Sequence, residues 1–550
     1  MYEVELTESY FPAQGGEPDH LMTVGEMLRR SAEKYPDGVA LKELLDDGSI
    51  GRVWTYAEFL RDAERLARAL STRHAEGARV TVYAGNLPEW LLLEYGCALA
   101  GLVLVTANPA YQARELRYVL EHSDSEAVYY VEEFRGNPLG RILADVVEQV
   151  PAIRHRIDLV DHGALFDGEH DGELRNPRPL DPAQIQYTSG TTGFPKGAVL
   201  HHQGLVQNAY DGLSRIGIEP GDVVMHHMPL FHCMGCAILG LGSFSLGATI
   251  VLAQMFDPEL VVGAIERERV RFIIGVPTMI LAMIEAADRL GVDVSSVERI
   301  LSGGAMVAPE LCRRAQSTFG APIQITYGQT EASPIVSMVW YDDTLVDQTE
   351  RIGQPAPHVE ASIRDTITNE VVPVGAQGEI CVRGYLVMTG YHDNPQATAE
   401  AIDAEGWLHT GDLGTMDARG YLTVTGRVKE MIIRGGENLF PAEIENVMLE
   451  HDAIAECAVV GVPDDRLGEQ VACFMRSSGA ARPADADLKA FARERMAPQK
   501  TPVFWVWVDE WPLTGSGKIR KFQLREKFEH GEYDGQTIGR AQTAGHGQPT

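Results

Sequence analysis

The sequence predicts an α/β protein: a large N-terminal domain of mostly parallel sheets with flanking helices, a small antiparallel β subdomain, and a smaller α+β C-terminal domain. Three observations predict it. The 550 residues exceed what one hydrophobic core usually organises, so two or three folding units are expected. Strand-like and helix-like runs alternate from residue 55 to residue 275, the pattern of a parallel sheet covered by helices on both faces. From residue 359 to 387 the runs shorten and turns intervene, and after Arg427 a second, smaller α+β pattern begins. The expected division is 1–428, 429–535 and a flexible tail rich in Gly, Gln and Thr, 536–550.

The first helix signal opens at Thr55. Glu58 stands three residues on in capping-box register, and Leu60, Ala63, Leu66, Ala67 and Leu70 follow at helical spacing. An extended run at 80–83, a helix over 88–100 stopped by Gly101, and an apolar run at 102–106 make a strand-helix-strand unit. A helix near 114–122 and a strand near 127–131 continue the alternation, followed by strands at 223–225, 249–252 and 271–275. In the C-terminal pattern, strands are expected near 455–460, 470–475 and 503–508.

A formal net charge of −31 argues against a protein that holds nucleic acid, or an anionic membrane, by general electrostatics. The seven cysteines are scattered without the framework of a disulfide-stapled domain, which fits a reducing cytoplasm. Met1 to Gly15 lack a basic region followed by an apolar run, so no signal peptide is expected. Residues 233–256 carry no charged side chain and are about long enough to span a bilayer. Glycines interrupt them, however, and Gly247 divides a helix-like part from a strand-like part, so a buried helix-turn-strand is expected and no integral membrane segment. A homodimer is left open as the assembly.

The sharpest segment is YTSGTTGFPKGAVLHH, Tyr187 to His202. Gly190, Gly193 and Gly197 permit close backbone approach. Thr188, Ser189, Thr191 and Thr192 supply hydroxyl and amide donors, and Lys196 adds a point charge, so the segment can cradle phosphate. It does not satisfy the Walker pattern, and its composition alone would also fit a Ser/Thr/Gly linker.

The string closely resembles the signature of the adenylate-forming (AMP-binding) superfamily, which includes acyl-CoA synthetases, peptide-synthetase adenylation domains and luciferases. The likeness extends over most of the chain, with the family's other motifs in order. It implies an acid–thiol ligase that uses ATP and Mg²⁺ to turn a carboxylic acid into acyl-AMP and pyrophosphate, then CoA to make acyl-CoA and AMP. Two polyanionic ligands on so acidic a chain demand local attraction from amide nests, a metal and a few placed cations.

Residue by residue, the likeness implies a phosphate cradle of Thr188, Ser189, Gly190, Thr191, Thr192, Gly193 and Lys196. In ITYGQTE, Tyr327 with Gly328 would pack on adenine, Thr330 would meet the α-phosphate, and Glu331, with Thr188, would hold Mg²⁺. Gly303, Gly304 and Ala305 of SGGA would lie against the other adenine face. Asp412 in GWLHTGDLG and Arg427 in GRVKEMIIRGGENLF would hold the ribose hydroxyls. Lys518 in PLTGSGKIRK would be the catalytic lysine of adenylation, offsetting the repulsion between carboxylate and phosphate. The likeness further implies that the C-terminal domain is mobile and turns about Lys429. One pose would present Lys518, the other Arg434, Gly435, Gly436 and Glu437 to CoA.

MHHMPLFHCMGC, Met225 to Cys236, has the composition of a metal site, but zinc sites of that class want a second distant pair and polar turns, whereas this segment is apolar. It resembles the family's Pro-Leu-Phe-His element, which would put His232 beside the carboxylate and the CoA tunnel. The acyl chain is expected among residues 233–240, 275–279 and 303–307, where no lysine or arginine occurs, so an apolar acyl group is favoured over an amino acid. NPAY, EFRGN and KIRKFQLRE liken the chain to medium- and long-chain fatty acyl-CoA ligases, although the aromatic gate of some long-chain enzymes is missing near Cys236. A ligase for an aryl, alicyclic or short sulfur-containing acid is the alternative. A nucleotide-binding module without catalysis would predict damage at Lys518, Glu331 or Asp412, and all three are intact.

Overall fold

The structure, a computed structural model, describes residues 1–15, 21–168, 174–188, 195–304, 307, 309–435, 437–464, 466–479, 481–513, 519–533 and 537–539. Helix Tyr56–Arg73 begins where the capping box places it. Thr55 Oγ1 accepts from Glu58 N at 3.2 Å, and Glu58 Oε2 accepts from Thr55 N at 2.9 Å. Such a cap contributes about 1 kcal/mol. Phe59, Ala63, Leu66, Ala67 and Leu70 form its buried stripe.

The alternation that follows builds one sheet whose strands Pro182–Thr188, Val103–Ala107, Arg79–Tyr83, Ala127–Tyr130 and His155–Asp158 are parallel neighbours in that order. Antiparallel strands Lys196–His201 and Gly390–Tyr391 extend its near edge. A second sheet runs parallel from Val39–Leu44 through Thr249–Ala253, Val223–His226, Phe272–Ile274, Arg299–Gly303 and Ile323–Gly328, with antiparallel strands at both edges. One core cluster contains residues of both sheets. Helix Pro88–Leu99, apolar except for Glu89 and Glu94, is buried along its whole length against that cluster, and helix His202–Ile216 packs there too.

Residues 233–256 form the buried helix-turn-strand expected of them. Gly247, at φ 77°, ends helix Gly242–Leu246 before strand Thr249–Ala253. The first part is a π-helix, Met234–Leu241, which the spacing of residues did not announce. Its entry requires Gly235: a Cβ there would stand 2.1 Å from the Pro229 carbonyl oxygen. No helix among the described residues is long and apolar enough to cross a membrane.

Strands Tyr10–Phe11, Glu360–Arg364, Gly378–Arg383, Leu408–Met416 and Leu422–Arg427 make the small antiparallel sheet. Beyond Arg427 a further sheet with its own core contains Ile454–Asp464, Gly468–Ser477 and Phe504–Trp507, and helices Pro441–Leu449, Asp485–Arg495 and Lys521–Glu529 accompany it. The tail departs from expectation at one point. Thr537–Gly539 pairs antiparallel with Phe504–Trp507, because Thr and Ile suit a strand and the sheet edge offers unpaired backbone groups.

Candidate active site

The carboxyl ends of parallel strands are where α/β sheets bind ligands, and both large sheets contribute there. Thr188 closes strand Pro182–Thr188 and pairs with Lys196, which opens the return strand. The residues between them that complete the phosphate motif, Ser189, Gly190, Thr191, Thr192 and Gly193, lie outside the described residues. Across from this hairpin, the turn Thr330–Ala332 carries Glu331. Thr188 Oγ1 is 3.4 Å from Glu331 Oε1, and Tyr391 OH donates to the same oxygen at 2.8 Å. Lys196 Nζ sits 4.8 Å from the centre of the Tyr391 ring. Tyr391 thus joins the phosphate hairpin to the carboxylate, and burial, then Glu331, pushes its hydroxyl pKa up.

Tyr327, at the end of Ile323–Gly328, donates its hydroxyl to Asp412 Oδ2 at 2.7 Å, and Arg427 Nε lies 2.9 Å from Asp412 Oδ1. The register of strands Leu408–Met416 and Leu422–Arg427 sets Asp412 opposite Arg427. Burial, then Asp412, raises the Tyr327 hydroxyl, while Asp412 holds the Arg427 guanidinium charged against its own burial. Gly303 pairs with Thr326 on the parallel neighbour, which brings the SGG segment beside TYG. Gly328 admits no side chain, since a Cβ would stand 1.8 Å from the Pro334 carbonyl oxygen. Gly304 follows Gly303 at φ 78°, and Ala305 lies outside the described residues.

His232 and Thr330 meet through Cys233. The Cys233 thiol is 3.6 Å from Thr330 Oγ1 and 3.7 Å from His232 Nδ1. Met234 N donates to that same Nδ1 at 3.2 Å, so the ring proton is assigned to Nε2. The other members of the His-Cys segment face separate partners. His226 Nε2 lies 3.0 Å from the Gly235 carbonyl and Cys236 Sγ lies 3.2 Å from Gln186 Nε2, while burial lowers His226 to about 4 and His227 to about 3.

Spacing alone does not reveal Glu379. Its Oε1 accepts from Gly411 N at 2.9 Å and its Oε2 lies 2.9 Å from His409 Nδ1, so it clamps the start of strand Leu408–Met416, which presents Asp412. Asp403 stands 3.6 Å from the far ring nitrogen, and Glu379 is the main cause of a raised His409 pKa. Cys381 Sγ is 3.4 Å from the same Nδ1.

Lys518 and Gly436 lie outside the described residues. Arg520, two residues past Lys518, is close enough to Tyr111 for its charge to oppose the burial that raises that hydroxyl to about 12. Tyr111, Tyr118 and Tyr187 pack against the same small cluster of Val103, Val105, Val119 and Ile185. Lys429 lies in the turn Val428–Glu430, and Glu430 is held by Lys521 at 2.8 Å, as is Glu445 at 2.9 Å. Arg434 donates to the Gln499 carbonyl, Gly435 N to the Leu467 carbonyl at 2.7 Å, and Glu437 opens strand Glu437–Leu439.

A family model described as AMP-binding enzyme matches residues 28–392, and one described as AMP-binding enzyme C-terminal domain matches 443–518. YngI of Bacillus subtilis (strain 168), assigned by name to the acyl-CoA synthetases, is 35% identical over 535 residues, covering 92% of this chain and 97% of that protein. The mitochondrial medium-chain acyl-CoA ligase ACSF2 of Homo sapiens is 34% identical over 553 residues, covering 94% and 89%. Among solved structures, ATP-bound MatB from Rhodopseudomonas palustris matches with a TM-score of 0.83 at 27% identity, over 92% of this chain and 99% of that one. The o-succinylbenzoate CoA synthetase MenE from Bacillus subtilis, in complex with its acyl-adenylate, matches at 0.80 and 28%, over 91% and 97%. The chain therefore belongs to the AMP-binding enzyme family and is an AMP-forming acyl-CoA synthetase.

Proposed function

We propose that the chain activates a medium-chain carboxylic acid, with domains 1–428 and 429–535 and the site residues given above in the roles their likeness implies. The observation that carries this reading is the joining of Thr188, Glu331 and Tyr391 on one side and of Tyr327, Asp412 and Arg427 on the other. Asp412 accepts the ribose hydroxyls, with Arg427 steadying its charge. Tyr327 and the Gly303–Gly304 turn flank adenine. Glu331 and Thr188 offer only oxygen donors, which suits Mg²⁺, and these two residues would hold it. When bound, the ion neutralises phosphate charge during displacement.

The carboxylate oxygen attacks the α-phosphorus and pyrophosphate leaves. Thr330 and Lys518 face the charge that builds on the α-phosphate oxygens, the first as a hydroxyl donor and the second as an ammonium. The CoA thiolate then attacks the acyl carbonyl and AMP leaves. His232 borders the path of both reactants, and Arg434, Gly435, Gly436 and Glu437 form the thiol's approach after rotation about Lys429.

The name of the ACSF2 relatives supports a medium-chain acid, and the apolar π-helix beside His232 supports a hydrocarbon chain. CoA-dependent AMP release over straight-chain acids of graded length, benzoate and cyclohexanecarboxylate tests it. The expected result is a maximum kcat/KM among medium-chain acids. A maximum at benzoate or the alicyclic acid would replace the substrate assignment with the aryl or alicyclic one, and loss of release in metal-free buffer with recovery on adding Mg²⁺ is expected throughout.

A further inference from the structure

Helix Pro88–Leu99 carries two acidic residues into the core, and they are treated differently. Glu89 is paired with Arg52 and His162. Glu94 is buried with no salt bridge among the described residues: Gln184 Nε2 donates to its Oε1 at 2.6 Å, and its Oε2 has no hydrogen-bond partner. Burial raises its carboxyl to about 8, so it is mainly protonated near neutrality. Trp90 Nε1, one turn earlier, together with Tyr95 OH and Ser243 Oγ, is likewise buried without a partner. Buried polar atoms are rarely left unmatched unless water or a ligand completes them.

The position of this cluster gives it meaning. Gln184, Gln186 and Thr188 alternate along one strand and so share a face. Thr188 reaches Glu331 at one end, and Gln184 reaches Glu94 roughly 13 Å away along the strand at the other. Gln186 Nε2 donates to Gln184 Oε1 at 2.7 Å and lies 3.2 Å from Cys236 Sγ. Cys236, in the first turn of the π-helix, stands three residues after Cys233, whose thiol is 3.6 Å from Thr330 Oγ1. Gly240 of the same helix faces Glu94, with room for a Cβ 3.8 Å from Oε2. A polar stripe therefore leads from the reacting carboxylate's place into the core, beside a π-helix, an element frequent at functional sites.

We propose that Glu94, Gln184 and Gln186 form the polar far wall of the acyl pocket, with Cys236 and Gly240 beside them, and that they select acids bearing a neutral hydroxyl or ketone oxygen far from the carboxylate. This rests on the acyl-CoA ligase reading of the site. A protonated carboxyl and two primary amides can donate to or accept from such a group without burying a charge. A distal amine would have to take the proton of Glu94, becoming an ammonium beside a carboxylate and so burying an ion pair, a costlier arrangement. The sequence expectation for the acyl surroundings named residues 233–240, 275–279 and 303–307. It did not include Glu94, which reaches the site from a helix more than 90 residues upstream of the phosphate motif's end.

The test compares decanoic acid with its ω-hydroxy and ω-amino derivatives by CoA-dependent AMP release, in the wild type, Glu94→Leu and Glu94→Gln. The ω-hydroxy acid is expected to exceed decanoic acid in kcat/KM by ~10-fold or more, since a site built to bond a hydroxyl discriminates against the analogue lacking it. Glu94→Leu is expected to reverse that ratio and Glu94→Gln to keep its direction. The ratio within each enzyme cancels losses of folded protein, and the wild-type preference stands even if Glu94→Leu fails to fold. Preference for decanoic acid, or a wild-type ratio unchanged in Glu94→Leu, overturns the proposal while leaving the ligase reading intact. Preference for the ω-amino acid also overturns it, by showing Glu94 ionised. Failure of every acid to release AMP would strike the ligase reading itself.

Discussion

Asp412 accepts from Tyr327 and faces Arg427, so its charge organises two neighbours, and the proposed function gives it the ribose as well. Asp412→Asn should raise KM for ATP roughly 10–100-fold, the effect of losing a charge-assisted hydrogen bond. Initial rates against ATP concentration would show it, and an unchanged KM would remove Asp412 from the nucleotide site. Glu379 acts at one remove. Because it raises the His409 pKa, the pair stabilises the fold fully below the ordinary histidine value of about 6.5 and loses that contribution as pH rises through the higher folded value. Glu379→Gln should therefore cost more stability, by urea unfolding, at pH 6 than at pH 9, and an equal loss at both would deny the charge its role. Asp412, Glu331 and Thr330 were legible because each sits inside a short motif. Glu379 and Tyr391 were not, because their partners lie 30 and 60 residues away and only strand pairing brings them together.

Among elements, the amphipathic helix at 56–73 was legible because capping and periodicity agree locally. The π-helix was not, since an apolar run with glycines at 235 and 240 fits several helical windings and tertiary packing selects one. The short strand Thr537–Gly539 escaped for a related reason: an edge pairing depends on the neighbour, here Phe504–Trp507. The turn Val428–Glu430 is anchored by Lys521, which bridges Glu430 and Glu445. Burial is the largest single influence on that lysine and acts to lower its pKa, but the two carboxylates together outweigh it and its pKa is raised. Lys521→Met would leave two acids close together without their cation and should destabilise the C-terminal domain by about 2 kcal/mol, less than a fully buried pair because the site is partly exposed. Denaturant unfolding of the full chain measures it, and an unchanged midpoint would mean that the bridge is screened away.

For the whole molecule, alternation of strand and helix made the fold class legible early. A chain of net charge −31 handles polyanionic substrates only because few cations are placed where they act. In the proposed function Lys518 is the most consequential of these, and it defines the central claim that one chain performs two chemically distinct half-reactions with different loops. Carboxylate-dependent pyrophosphate–ATP exchange reads the first half-reaction alone. Lys518→Ala should lower the exchange rate by roughly 100-fold or more, while Gly436→Trp should retain it and lose CoA-dependent acyl transfer. Exchange at the wild-type rate in Lys518→Ala would contradict the account.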